Sequence, residues 1–329
     1  MLSPSDEFAN FEVFDHLLIS NAPSQPHGSY VREAYGRGLA LAEKTGVNPY
    51  KFGVVGATDF HNGLSTSGED SYGGLIGGID PKHPGDALKS PKLDLPEDEH
   101  GKADHVRLFG SGNLAGVWAE ENTRESIYDA LRRKETFATS GTRLKFRFFG
   151  GWNYDHKLLS SKDWVKTAYA KGVPMGGDLP SKPEGAKAPR FVVDALKDPN
   201  GAKLDRVQVV KVWLKDGKHA EKIFDVAFSG TRKPDPATGK VPAVGNTVDV
   251  RKATWRNTIG ATQLATVWED PEFDPAIPAV YYLRVLEIPT PRWSTILAVK
   301  NGQPQPKDLP QTIQERGWSS PIWYTPAKS

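Results

Sequence analysis

The chain has 329 residues with 42 Lys or Arg against 40 Asp or Glu, so its net charge of +2 lacks the basic excess of nucleic-acid-binding proteins. Cysteine is absent, which excludes thiol nucleophiles, Cys-ligated zinc and iron–sulfur clusters. No apolar run approaches the roughly 18 residues of a membrane span, and the first residues do not resemble a signal peptide. We therefore predict a water-soluble chain without a nucleic-acid or membrane partner, in a compartment left open between cytoplasm and periplasm.

The first part of the chain has the pattern of an α/β fold. Residues 11–15 alternate apolar and acidic side chains, which predicts a short strand. A helix is expected next, capped by Ser29 and ended by Gly46. The apolar run 52–57 is flanked by turn residues and is typical of a strand buried on both faces of a parallel sheet.

Asp59 and His61 follow this predicted strand, at the end where α/β folds gather their chemistry. Carboxylate and imidazole groups suit Zn, Mn or Fe, and residues two apart on an extended chain point to the same side. The pair could bind a metal ion, or Asp59 could form a turn beside a surface histidine. Residues 63–112 are rich in Gly, Pro, Asp and Lys, and form either a lid or binding loop or a mobile connection.

The second part of the chain has the pattern of an antiparallel β-sandwich. A helix with a capping box formed by Asn122 and Glu125 precedes it. From about residue 136 onward, short β-type runs alternate with Gly, Pro and Asp clusters, which predicts seven or more strands. The runs lie at 146–149, 191–193, 207–214, 223–228, 264–268, 281–288 and 293–297. The tryptophans of this part are interpreted as core residues rather than as a stacking platform for sugars or nucleic acid.

Several segments together resemble a known family. They are residues 51–66, which contain Asp59-Phe-His61, and residues 119–134, 137–143, 175–180, 282–287 and 318–324. These segments are similar to a bacterial domain-of-unknown-function family, number 3604, of the polymerase and histidinol phosphatase (PHP) superfamily. The resemblance implies a distorted β/α barrel that binds two or three divalent metal ions and hydrolyses phosphate or related esters. In that superfamily an Asp-x-His motif at the end of the last barrel strand binds metal, and Asp59 and His61 match it.

The sequence departs from the superfamily pattern in one respect. No His-x-His pair occurs in it, although such a pair opens the superfamily's ligand set. A closed barrel needs about 200 residues or more, which is more than the α/β part offers. We therefore expect residues 1–145, with their long loop, to be the C-terminal part of a PHP-like β/α barrel, and residues 146–329 to be an antiparallel β-sandwich-like domain. The chain would then be a fragment, or a separate chain would supply the missing barrel half.

The resemblance leads to a functional hypothesis. The complete protein would be a metal-dependent hydrolase that acts on small anionic esters, with Mn, Zn, Fe or Mg as cofactor. Asp59 and His61 would bind the metal, Asn62 and Arg143 would contact the substrate, and no catalytic residue is assigned. The alternative is a non-catalytic module that binds a ligand or a partner.

Overall fold

The computed structural model describes residues 28–58, 67–72 and 110–327, together with the single positions 23, 25 and 88. The α-helices of these ranges are α1 (Val31–Thr45), α2 (Arg124–Arg132), α3 (Trp164–Lys171) and α4 (Trp293–Lys300). None of these four, in the part of the chain that is described, is long and apolar enough to cross a membrane. The strand predicted at 11–15 lies outside the described residues.

Of the thirteen strands in the described ranges, eleven form two main antiparallel sheets and two form a separate two-stranded sheet. The strands are β1 (Leu114–Val117), β2 (Thr136–Thr139), β3 (Lys145–Gly151), β4 (Gly172–Pro174), β5 (Arg190–Leu196), β6 (Leu204–Lys215), β7 (Lys218–Phe228), β8 (Gln263–Glu269), β9 (Ala279–Glu287), β10 (Thr290–Pro291), β11 (Thr312–Ile313), β12 (Arg316–Ser319) and β13 (Ile322–Tyr324). The large sheet has the order β1-β2-β12-β9-β6-β7, and β13 also pairs with β9. The small sheet has the order β4-β3-β5-β8, and β10 pairs with β11.

The main hydrophobic core lies between the two sheets. Phe148 and Phe191 of the small sheet pack in one cluster with Val209, Tyr281 and Leu283 of the large sheet. Sheets that bury one face each against a common core form a sandwich. The predicted β-rich architecture from residue 146 onward is therefore confirmed.

Helix α1 covers the other face of the large sheet. Tyr35 and Leu39, one helical turn apart, pack against Val210 and Val212 of β6 and Tyr282 of β9. Both faces of β6 and β9 are consequently buried, which explains why β9 is a nearly continuous apolar run. In β6 the charged residues Asp205, Arg206 and Lys211 are buried as well.

The predicted buried strand at 52–57 is wrong. These residues belong to no strand, and the Val55 side chain is 59% exposed. Both edges of β2 are already taken, by β1 and by β12. The segment is instead held to the sheet by hydrogen bonds with two hydroxyl groups. The Val54 amide donates to Ser320 Oγ (2.9 Å), and Thr136 Oγ1 donates to the Val54 carbonyl oxygen (2.7 Å).

The barrel predicted for residues 1–145 is also not found. Within the described ranges there is no closed barrel, and every pair of the named strands is antiparallel. Strands β1 and β2 instead join the sheet that contains β6, β7, β9 and β12. The predicted domain boundary falls inside β3, and strands from both sides of it share one sheet. The division into two domains stays a prediction.

Two helices were predicted correctly, and a third was mistaken for a strand. Helix α1 ends at Gly46, whose φ of 79° is left-handed as expected, but its N-cap is Tyr30 and not Ser29. The N-cap of α2 is Thr123, one residue after the predicted Asn122. Residues 293–297 form the start of α4 and not a strand. Four consecutive residues of α4 are buried, so the helix lacks the polar stripe that reveals a surface helix in a sequence.

Candidate functional site

A cleft of about 500 Å³ opens at one end of the large sheet. Strands β2 and β9 end there at Thr139 and Glu287, whereas β12 begins there at Arg316, which pairs with Leu286. The turns between strands therefore converge on this end, as expected where antiparallel neighbours reverse direction. The cleft lining includes Glu69, Thr142, Arg143, Trp255, Glu287 and Glu315.

Three glutamates from distant parts of the chain meet in this cleft. Glu287 is only 1% exposed, and its Oε1 accepts a hydrogen bond from Thr142 Oγ1 (2.6 Å). Glu315 is 7% exposed and accepts a hydrogen bond from Ser140 Oγ. Glu69 reaches the same cleft from the segment 67–72. Burying three carboxyl groups together is costly unless they are neutralised or find partners, so this arrangement needs a physical explanation.

The first carboxyl group of the cluster holds its proton at neutral pH. Burial raises the pKa of Glu287 to about 8. The hydrogen bond from Thr142 opposes this rise, whereas the neighbouring Asp198 carboxylate adds to it. A protonated Glu287 can both donate and accept hydrogen bonds.

Burial shifts the pKa values of the other two carboxyl groups in the same direction. Burial, followed by repulsion from Glu69, raises the pKa of Glu315 well above its usual range, and the hydrogen bond from Ser140 opposes this. Burial also raises the pKa of Glu69, against the effect of the Trp293 amide that donates to it. Burial therefore favours the neutral form of each of the three carboxyl groups.

Glu69 also joins the segment 67–72 to helix α4. Its carboxylate accepts a hydrogen bond from the backbone N–H of Trp293, the first residue of α4, where a helix favours a negative group. Tyr72 stacks on the Trp293 ring with centroids 3.9 Å apart, and Lys300 Nζ donates to the Asp70 carbonyl oxygen (3.0 Å). Ser111 and the Arg292 guanidinium also interact with the Glu69 carboxyl group, and both lower its pKa.

Arg143 lies on the rim of the cleft. Its backbone N–H donates to Asp198 Oδ2 (2.8 Å), which fixes the turn between β2 and β3 against the turn between β5 and β6. The Arg143 side chain is exposed and lines the cleft with the three glutamates. The structure thus brings this sequence-predicted substrate residue to a cleft, while its role stays a prediction.

The tight turn before Arg143 leads to a prediction. Gly141 has a φ of +120°, and a Cβ added there would lie 2.0 Å from the Ser67 carbonyl oxygen. We expect Gly141→Ala to lower the free energy of unfolding, measured by urea denaturation, by about 2–3 kcal/mol. The matched control is Gly185→Ala, which also has a positive φ of 77° but has nothing within 4 Å. Equal losses in the two variants would show that the approach to Ser67 contributes nothing.

The predicted metal ligands Asp59 and His61, and Asn62, lie outside the described residues. The chain before them passes Leu114, since a Cβ on Gly56 would lie 2.4 Å from the Leu114 carbonyl oxygen. The chain after them resumes at Ser67, beside Gly141. Leu114 pairs with Thr139, so both flanks lie next to the turn that leads from β2 into the cleft. Over the ranges that the structure describes, no group of three or more His, Asp or Glu side chains is placed to hold a metal ion.

The three glutamates were missed at the level of sequence. Glu287 stands at the end of an apolar strand run, which is a recognisable position for a site residue, but a single acidic residue there is also a common strand end. Glu69 begins a three-residue 3-10 helix and Glu315 lies between β11 and β12, and no local pattern distinguishes either from a solvated loop residue. The pairing of β9 with β12 brings Glu287 and Glu315 together, and the contact of Glu69 with α4 adds the third.

Comparison with known proteins gives one match. No curated protein and no solved structure matches the chain. One family model, described as a protein of unknown function (DUF3604), matches residues 1–326 and so covers nearly the whole chain. Its span includes the cleft residues and the segment that contains Asp59 and His61. The chain therefore belongs to the DUF3604 family of proteins of unknown function.

Proposed function

We propose that this protein is a metal-dependent hydrolase of phosphate or related esters and that it contributes the C-terminal portion of a catalytic unit related to the PHP superfamily. Asp59 and His61 are its metal ligands, and Mn, Zn, Fe or Mg is the cation. Asn62 and Arg143 contact a small anionic ester. A chain that supplies the missing barrel half is the expected protein partner.

One observation carries the proposal: both flanks of the segment with Asp59 and His61 lie beside the turn that presents Arg143 to the cleft. A cation ligand pair and an anion-binding residue are thereby connected to the same end of the sheet. Catalysis of ester hydrolysis needs such a combination, because negative charge develops on the attacked group and must be neutralised.

The metal-binding segment and the cleft residues each have a role in the proposed ester hydrolysis. The described residues do not form a complete cation site, so the ligand set depends on the Asp59 and His61 segment. A bound divalent cation lowers the pKa of its water ligand toward about 7. The Arg143 guanidinium binds and orients the anionic group of the ester. Glu287 carries a proton at neutral pH and is suited to protonate a leaving alkoxide.

The alternative is a non-catalytic module that binds an anionic ligand or a partner. It is favoured by the observation that the described cleft is built from sandwich turns and has no metal-binding group among the residues described there. In this case the carboxylic acids and Arg143 recognise a ligand without changing it.

Measurements of metal content and turnover distinguish the hydrolase from the non-catalytic binding module. We expect Asp59→Ala to lower hydrolysis of p-nitrophenyl phosphate by about 100-fold or more and to remove tightly bound divalent metal, because a ligand that holds the cation is lost. Elemental analysis and a colorimetric assay of the complete enzyme, with the missing barrel half supplied, measure the two effects. Asp129→Ala, at an exposed position of α2, is the matched control.

Two outcomes would count against the hydrolase. Unchanged metal content and turnover in Asp59→Ala would reject this residue as a ligand. Less than about one tightly held divalent ion per unmodified chain would favour the binding module.

A further inference from the structure

A second cleft lies at the opposite end of strands β1 and β2. The two strands are antiparallel, so Trp118, which follows β1, lies beside Glu135, which precedes β2. The Trp118 amide donates to the Glu135 carbonyl oxygen (3.0 Å). Arg143 and the first cleft lie beyond the other end of β2. The second cleft has a volume of about 590 Å³, and its lining includes Trp118, Arg133, Glu135, Arg147, Tyr169 and Pro174.

The second cleft forms where one edge of β3 is only partly covered. Strand β4 pairs with residues 149–151 of β3 and ends at Pro174. Before residue 149 the Trp118 indole contacts this edge, since its Nε1 donates to the Phe146 carbonyl oxygen (3.0 Å). Arg147 is the next residue of β3, and its half-buried side chain lines the cleft beside the indole.

The guanidinium group of Arg147 is held in place without an acidic partner. Its Cζ lies 3.6 Å from the centroid of the Trp118 ring, and its NH1 donates to the Tyr169 hydroxyl oxygen (3.3 Å). Burial and the neighbouring Glu135 raise the pKa of Tyr169 to about 12, so this hydroxyl group is neutral at pH 7. Among the described residues no carboxylate forms an ion pair with Arg147, including the exposed Glu120 of the same cleft.

Arg133 provides a second guanidinium group with a fixed position. Its Nε donates to Glu135 Oε2 (2.9 Å), and its NH2 donates to the Trp118 carbonyl oxygen (3.0 Å). Glu135 is only 2% exposed, and its Oε1 accepts a hydrogen bond from the Tyr169 hydroxyl group. The buried carboxylate therefore neutralises Arg133 and is linked through Tyr169 to Arg147, whose positive charge has no counterpart in this network.

We propose that the second cleft binds a small molecule with a phosphate or carboxylate group, and that this group accepts hydrogen bonds from Arg147 and Arg133. A guanidinium group has five N–H donors, and each of its edges matches two oxygens of such an anion. Both side chains are already ordered by stacking or hydrogen bonds, so binding costs little further conformational entropy. The inference does not depend on the proposed hydrolase, which uses Arg143 at the other end of β2.

The rest of the second cleft is suited to an apolar or aromatic body of the ligand. Its volume lies in the range of small-molecule sites, about 300–1,000 Å³. The Tyr169 side chain is 41% exposed, and its ring is held edge-to-face against Phe149 with centroids 4.8 Å apart. The exposed part of this ring and Pro174 provide apolar surface in the same cleft as the two arginines.

Titration calorimetry at pH 7 tests the proposal with the Arg143→Ala variant of the whole chain, which lacks the anion-binding residue proposed for the first cleft. The probes are phenyl phosphate, benzoate and benzyl alcohol, which share a ring and differ in charge. We expect at least one of the two anions to bind about tenfold more tightly than benzyl alcohol, and the tighter anion identifies the group that is recognised. Equal or undetectable binding of all three compounds would overturn the proposal.

Substitutions in the same Arg143→Ala background locate the binding. Arg147→Met should weaken the preferred anion by about tenfold or more and leave benzyl alcohol unchanged. Arg147→Lys keeps the charge but loses the paired donors, so it should also weaken the anion, and it provides the test if Arg147→Met does not fold. Lys145→Met is the matched control, because Lys145 is an exposed cation of the same strand outside the cleft lining. Unchanged affinity in the Arg147 variants, or an equal loss in Lys145→Met, would reject the second cleft as the anion site.

Discussion

Arg206→Met should lower the free energy of unfolding by about 3–5 kcal/mol, because it removes the cation that pairs with buried Asp225 and one of the two cations that pair with buried Asp205. Arg206 is 2% exposed on β6, with Nε 3.1 Å from Asp205 Oδ2 and NH1 3.1 Å from Asp225 Oδ2. Its guanidinium also donates to the carbonyl oxygens of Val241 (2.6 Å) and Pro242 (2.8 Å). Methionine fills much of the same volume but provides none of these hydrogen bonds. Urea denaturation at pH 7 measures the loss.

An exposed ion pair is the matched control. Lys222 pairs with Glu272, and the two side chains are 44% and 46% exposed. Solvent screens such a pair, so we expect Lys222→Met to change the free energy of unfolding by less than about 1 kcal/mol. Similar losses in both variants would mean that the Arg206 network is solvated and that its burial does not determine stability.

Local sequence signals predicted the helices whose ends carry typical capping residues. The left-handed Gly46 ends α1, and the hydroxyl of Thr123 accepts the amide of Ser126 at the start of α2. The β-runs of the second half were also recognisable, since β-branched and aromatic residues dominate them. Helix α4 could not be recognised as a helix from its sequence. It depends on burial around Trp293 and on a capping carboxylate that lies more than 200 residues earlier in the chain.

The candidate site was predictable only in part, for a related reason. Arg143 stands in a Gly-Thr-Arg turn that the sequence marks clearly, and the structure places it at the cleft. Glu287 and Glu315 lie close together because β9 pairs with β12. Glu69 lies beside them because it contacts α4. Pairings between distant segments leave no local pattern, so the acidic lining could not be predicted from residue spacing.

The stability of the protein should decrease as the pH rises from about 5 to about 8, and Glu287→Gln should remove much of this decrease. In the folded protein burial raises the pKa of Glu287 to about 8 from its ordinary value of 4.5. Between these values the unfolded chain has released a proton that the folded chain retains, so each increase in pH favours unfolding. One pKa unit corresponds to about 1.4 kcal/mol, which makes the total effect several kcal/mol. Glu315 acts in the same direction, because burial raises its pKa as well.

Urea denaturation of both proteins at pH 5, 6, 7 and 8 measures the effect. Glutamine resembles the protonated acid, so Glu287→Gln should match the unmodified protein near pH 5 and exceed it in stability at pH 8. Glu125→Gln, at an exposed position of α2, should show a constant difference over the same range. A stability difference between Glu287→Gln and the unmodified protein that does not grow with pH would mean that Glu287 is ionised in the folded state. The cleft would then carry negative charge at neutral pH, and Glu287 could not protonate a leaving alkoxide.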